Sequence, residues 1–197
     1  MQMNQTIAYY DQNAEAYVRQ TRNVDMTAIR DRFMELIPAH GTILDLGSGA
    51  GRDSKAFLDR GYQVTAVDGS AEMCRATEQF TGLKAICKDF VSYMPDRSYN
   101  GIWANASLLH LPIQTIHDVV QRLSFHLHSG GAFYMSFKHG DFAGMRDGRY
   151  YTDLTEPLLK DLLRDIDELS AHAFFKTGDT IPGREDLVWL NAIFIKK

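Results

Sequence analysis

The sequence predicts an α/β fold, with strands and helices alternating around one open sheet. Three observations carry this. A short apolar run, Thr42–Leu46, passes through three alternating glycines, Gly47, Gly49 and Gly51, into a helical pattern. Further apolar runs at 63–67, 83–88, 99–104 and 132–137 are separated by segments whose apolar residues mostly recur at helical spacing. An acidic residue, Asp68, closes the second run about 20 residues beyond the glycine turn, as in nucleotide-binding α/β units.

The elements follow in order. Residues 6–20 carry Ile7, Tyr10, Ala14, Tyr17 and Val18 at helical spacing, and 25–37 carry Ile29, Phe33, Leu36 and Ile37 before Pro38 and Gly41 end the helix. The strand 42–46, the glycine turn and a helix at 52–60 make a nucleotide-type binding corner. There the backbone can approach a ligand closely and a helix N-terminus points at it. Arg52 occupies the place of the last glycine in a dinucleotide fingerprint, which argues against NAD. After strand 63–67, Ser70 is placed to cap a helix at 70–80, with Glu72 in its first turn. Strand 83–88 ends at Asp89-Phe90, and strand 99–104 runs into Asn105 and on to His110. Pro112 opens a helix at 112–126, and Ser129-Gly130-Gly131 turns into strand 132–137. Residues 138–154 show neither period and are expected as a long loop on the ligand edge of the sheet. A helix at 155–165, a strand at 170–177, a turn-rich link at 178–184 and a last strand at 186–195 complete the chain.

With 197 residues, 45% hydrophobic and 23% charged, the composition suits one domain over 1–197. A formal charge of −4 gives no global basic footprint, which argues against nucleic acid as partner. The polar N-terminus and the lack of any apolar run of membrane-spanning length make a cytoplasmic location the expectation. Cys74 and Cys87 form neither a metal-type spacing nor a disulfide framework, and no metal site is expected; Cys87 is expected as an apolar filler in a buried strand.

Leu-Asp-Leu-Gly-Ser-Gly-Ala-Gly, residues 44–51, resembles motif I of the class I S-adenosylmethionine (SAM)-dependent methyltransferases. Among stand-alone members, the chain looks most like proteins grouped with the tellurite-resistance methyltransferases. The resemblance implies a Rossmann-like seven-stranded sheet of order 3-2-1-4-5-7-6, its last strand antiparallel, with helices on both faces. It implies SAM as cofactor and S-adenosylhomocysteine as product. The cofactor would be held by Asp45, Gly47, Ser48, Gly49 and Gly51 at the turn, Asp68 at the ribose, Asp89 and Phe90 at the adenine, and by Gly69 and Met73. Ile86 is a further candidate to flank the ring, and Asn105 lies near the transferred methyl. Tyr10-Asp11-x-Asn13-Ala14-x-x-Tyr17 resembles the N-terminal segment, here within 1–40, that many small methyltransferases fold over the cofactor; an amphipathic helix laying its tyrosines on the core is the alternative. Asp89 also reads as a solvated turn residue, and His110 as a structural histidine.

SAM carries its methyl already activated on a sulfonium, so the protein need only hold a nucleophile in line behind that carbon and exclude water. Orientation of this kind contributes about 7–11 kcal/mol. His110, Tyr150 and Tyr151 are the candidates if a base is needed. Lys138, Arg146 and Arg149 beside these tyrosines in 138–154, together with Trp189, suit a small anionic acceptor and a lid closing over it. Two rivals remain open: methylation of RNA or another macromolecule across a basic face of Arg97, Lys138, Arg146, Arg149 and Arg184, and a non-catalytic SAM-binding module. Oligomeric state is not legible.

Overall fold

Strand β1, Thr42–Leu46, is the axis of the sheet in the computed structural model, which describes residues 2–181 and 183–197. Met1 and Pro182, which fall in the expected N-terminal segment and the 178–184 link, lie outside the described residues. β1 pairs in parallel with β2 (Gln63–Asp68) on one side and β4 (Tyr99–Ala104) on the other. β2 carries the short edge strand β3 (Ile86–Cys87), and β4 carries β5 (Leu127–Lys138), both in parallel.

After β5 the chain forms a separate two-stranded hairpin, β6 (Ala143–Arg146) and β7 (Arg149–Thr152). β8 (Leu169–Gly178) then becomes the far edge, and β9 (Val188–Lys196) inserts antiparallel between β5 and β8. The sheet order is β3-β2-β1-β4-β5-β9-β8. Without the hairpin strands this is the expected 3-2-1-4-5-7-6.

The helices are α1 (Gln2–Gln12), α2 (Ala14–Thr21), α3 (Thr27–Met34), α4 (Arg52–Asp59), α5 (Ala71–Thr81), α6 (Ile113–Ser124) and α7 (Glu156–Leu162). Because side chains alternate along a strand, β1 feeds two apolar layers. Ile43 packs with Phe33, Phe57, Trp103 and Tyr134. Leu44 and Leu46 pack with Ile102 and the buried stripe of α6, Ile116, Val119, Val120 and Leu123. A central parallel strand covered on both faces explains why its apolar run is nearly continuous.

Four expectations need correction. The segment 6–20 is two helices, interrupted at Asn13. The third strand spans only Ile86–Cys87; Cys87 is exposed rather than buried, because one side of an edge strand has no neighbour. Ile86 is likewise exposed and does not flank either cavity. Residues 138–154 are not a structureless loop. Asp147 (φ 51°) and Gly148 (φ 77°) both take positive φ between the paired Arg146 and Arg149, the geometry of a two-residue type I′ turn, and they fold the segment into the β6–β7 hairpin.

Gly101 shows how tightly the sheet meets α3. A Cβ there would lie 2.5 Å from Cζ of the fully buried Phe33 and 3.3 Å from Cδ1 of Ile37. Gly101→Ala is therefore expected to lower stability by about 1–3 kcal/mol through overpacking, read as a lower urea midpoint at unchanged slope.

Candidate active site

The glycine turn leaves β1 at the carboxyl edge of the sheet. Gly47 N–H and Ser48 N–H both donate to Val67 O, at 2.8 and 3.0 Å, so β2 clamps the turn. Gly47 has φ +87°, and a Cβ on it would overlap Cβ of Ser107; this position admits only glycine. The next donor, Gly49 N–H, reaches Asp68 Oδ2 at 2.9 Å, while Ser70 N–H donates to Asp68 Oδ1 at 2.9 Å. Each carboxylate oxygen of Asp68 keeps an unspent lone pair. Burial pushes the Asp68 carboxyl up to about 6, against the backbone donors that lower it.

Asp68 lies in a small cavity with Gly47, Gly49, Gly69, Met73, Asp89, Phe90 and Asn105, so these expected residues are brought together. Ser107 also lines it, and its Oγ is buried without a hydrogen-bond partner. Asp89 spends its carboxylate locally: Oδ1 accepts Val91 N–H and Ser92 N–H, and Oδ2 accepts the Ser92 hydroxyl at 2.6 Å. It caps its own turn while facing the cavity. Two residues expected at the turn itself lie outside both cavities. Asp45 sits beneath the turn, 2% exposed, where it accepts the Ser54 hydroxyl at 2.6 Å. Burial and the nearby Asp53 push its carboxyl up to about 7. Gly51 caps α4 and packs on Thr77 and Thr81.

A larger cavity of about 710 Å³ adjoins the first and shares with it Tyr10, Tyr17, Gly47, Gly49, Asn105, Ala106 and His110. Ser48 lines the larger one. Its floor holds a hub that the sequence reading missed. Asp53, 6% exposed, accepts from Arg30 Nη1 at 2.7 Å, Arg52 Nε at 2.9 Å, Arg52 Nη2 at 2.8 Å, Trp103 Nε1 at 3.0 Å and Asn105 Nδ2 at 3.1 Å. Burial opposes its charge, but the two guanidiniums hold the carboxyl well below the usual range. Asn105 is fixed at its other end by the Ser136 hydroxyl, which donates to Oδ1 at 3.0 Å.

His110 is 8% exposed. Its Nδ1 lies 2.7 Å from the Tyr150 carbonyl, which only accepts, so Nδ1 carries the proton. Nε2 is then the acceptor for the Tyr10 hydroxyl at 2.8 Å. Burial, reinforced by Arg149 and Lys138, pushes the imidazole down to about 4, so it is neutral near pH 7. Tyr150 serves the site through its backbone alone: its carbonyl holds His110, its N–H donates to Thr6 Oγ1 at 3.0 Å, and it lines neither cavity.

Tyr151 does line the larger cavity, with Lys138, Arg149 and Trp189. Trp189 donates Nε1–H to Asp179 Oδ2 at 3.1 Å. Arg146 stands outside the lining, ion-paired with Asp153 at 2.6 Å. The hairpin tip interlocks with α1: a Cβ on Gly148 would lie 2.9 Å from Tyr9 Cδ2, and the Arg149 guanidinium lies over the Tyr9 ring at 4.5 Å. Among the described residues, no cluster of three or more His, Cys, Asp or Glu is placed to hold a metal ion, and no helix is long and apolar enough to cross a membrane.

Residues 43–131 match the family model described as "Methyltransferase domain". An uncharacterized methyltransferase of Geobacillus thermodenitrificans is 30% identical over 127 residues, 62% of this chain and 58% of the relative; the chain thus spans little more than half the length of that curated relative. Among solved structures, the Burkholderia thailandensis 1,6-didemethyltoxoflavin-N1-methyltransferase with bound 1,6-didemethyltoxoflavin and S-adenosylhomocysteine superposes with a TM-score of 0.71 at 23% identity, over 98% of this chain and 88% of that one. A complex of DhpI with SAH superposes with a TM-score of 0.72 at 21% identity, over 99% and 97%. The likeness to class I methyltransferases read from the glycine turn thus extends to the whole fold.

Proposed function

We propose that this chain, with a methyltransferase domain at residues 43–131 on the class I methyltransferase fold, is a SAM-dependent methyltransferase acting on a small anionic acceptor. One observation carries the cofactor reading. Asp68 is fixed by Gly49 N–H and Ser70 N–H with two acceptor sites left over, beside the buried and unpartnered Ser107 Oγ. That arrangement suits a nucleoside whose ribose donates two hydroxyls.

In this reading Asp68 and Gly69 hold the ribose, while Met73, Asp89 and Phe90 line the base. Gly47, Ser48 and Gly49 take the amino-acid end, and α1 and α2 cover it with Tyr10 and Tyr17. The β6–β7 hairpin walls the acceptor side and acts as its lid. SAM supplies a methyl already activated on a sulfonium and is released as S-adenosylhomocysteine. Asn105, held at both ends of its amide, is a rigid wall where acceptor and cofactor meet, which favours in-line alignment.

His110 is a weak base with its one lone pair engaged by Tyr10. With His110 so engaged, the cationic Lys138 and Arg149 favour an acceptor that arrives as an anion. Arg149→Ala is expected to leave S-adenosylhomocysteine affinity within about threefold and to lower turnover at least tenfold; an equal loss of affinity would make Arg149 a cofactor clamp. The deciding experiment is calorimetric titration with SAM, S-adenosylhomocysteine and NAD in parallel. Micromolar binding of the first two and none of NAD is the expected result. A folded sample that binds neither SAM nor S-adenosylhomocysteine overturns the proposal.

A further inference from the structure

Tyr151 is ringed by charge. Lys138 Nζ lies 3.9 Å from its ring centroid, Arg146 Cζ 5.1 Å and Arg149 Cζ 5.3 Å. Asp153, the carboxylate beside Lys138, has its Oδ2 taken by Arg146 at 2.6 Å, and Asp147, Asp179 and Asp186 line the larger cavity without an ion pair to Lys138 or Arg149. Lys138 and Arg149 have no ion-pair partner among the described residues, and Arg149 Nε is buried with no hydrogen-bond partner. Both line the larger cavity beside His110 and Asn105. Tyrosine faces stabilise such cations only partly, so two cations left without an ion pair at the cavity wall call for a counter-charge on what binds beside them. Burial, Arg146, Arg149 and Arg184 together push the Lys138 ammonium down to about 8, with Asp153 opposing.

We infer that the methyl acceptor carries two negative charges, one for Lys138 and one for the forked guanidinium of Arg149. This deepens the proposed function and rests on it. A guanidinium beside an ammonium matches either a doubly charged phosphate-type group or a pair of carboxylates. The charges bind and orient, and the accepting atom lies elsewhere on the molecule, toward Asn105.

The test is calorimetric titration of the S-adenosylhomocysteine-loaded protein with phenyl phosphate, phthalate, benzoate and phenol. At least one dianion should bind tenfold or more tighter than benzoate, with phenol weakest. Preference for phenyl phosphate assigns a single doubly charged head; preference for phthalate assigns two carboxylates. Lys138→Met should bring the dianion down to the level of benzoate without changing S-adenosylhomocysteine affinity, and Lys138→Arg should restore the discrimination. Benzoate binding as tightly as both dianions, no binding of either dianion, or discrimination that survives Lys138→Met overturns the inference. The same series without S-adenosylhomocysteine still reads charge discrimination, so failure of the cofactor reading is seen separately.

Discussion

Asp68→Ala is expected to weaken S-adenosylhomocysteine binding more than tenfold, at least about 1.4 kcal/mol, in a protein that stays folded. The carboxylate holds the glycine turn through Gly49 N–H and Ser70 N–H and, in the proposed complex, accepts the ribose hydroxyls. Alanine removes both functions at once. A conservative Asp68→Asn keeps the shape but offers one acceptor oxygen and an N–H₂, so it should fall between the two. Acid should imitate the substitution. Burial pushes the Asp68 carboxyl up to about 6 before any ligand binds, and hydroxyl donors stabilise only its ionised form, so binding releases a proton at low pH. Affinity is expected to be constant above about pH 7 and to fall as pH drops through 6. Calorimetry on the alanine variant decides the matter, since unchanged affinity would falsify the assignment of Asp68 to the ribose.

Asp53→Ala is expected to cost about 3–5 kcal/mol of stability, because it strands two guanidiniums, an indole N–H and an amide that one buried carboxylate now satisfies. In a domain of this size that corresponds to a melting temperature lower by about 10 °C. The sign of the pH dependence follows from the depressed carboxyl. Its contribution is complete above the unfolded value near 4 and is lost as pH falls below that. Thermal melts at pH 7 and pH 3 check both statements: the variant should differ strongly from the parent at pH 7 and less at pH 3.

The glycine turn, Asp68 and the strand–helix alternation were legible because they rest on local spacing. Asp45 was not, although its parity held the clue. It shares the face of Ile43, the one covered by α4, so its carboxylate meets Ser54 beneath the turn. The hairpin was signalled by Asp147-Gly148, but the flanking Arg146 and Arg149 hid the strand pattern behind charge. Tyr150 and Tyr151 looked equivalent; only the paired register of β6 and β7 sends one ring into the cavity and leaves the other to serve through its backbone. The Asp53 hub joins residues 23 and 50 positions apart, and no spacing rule reaches that far. Cys87 failed for a similar reason, since burial of a strand depends on its place in the sheet order.

The insertion of β9 between β5 and β8 also bears on how the molecule is made. β5 carries Ala132–Phe137 almost wholly buried, and one of its two pairing edges is satisfied only by residues 188–196. During synthesis, everything from β1 to β8 emerges while that edge is still bare. A long apolar strand with unpaired N–H and C=O groups is the kind of surface on which nascent chains adhere to one another. β9 therefore acts as a safety catch, and a truncation before Val188 is expected to leave a β5 edge that recruits other chains into aggregates.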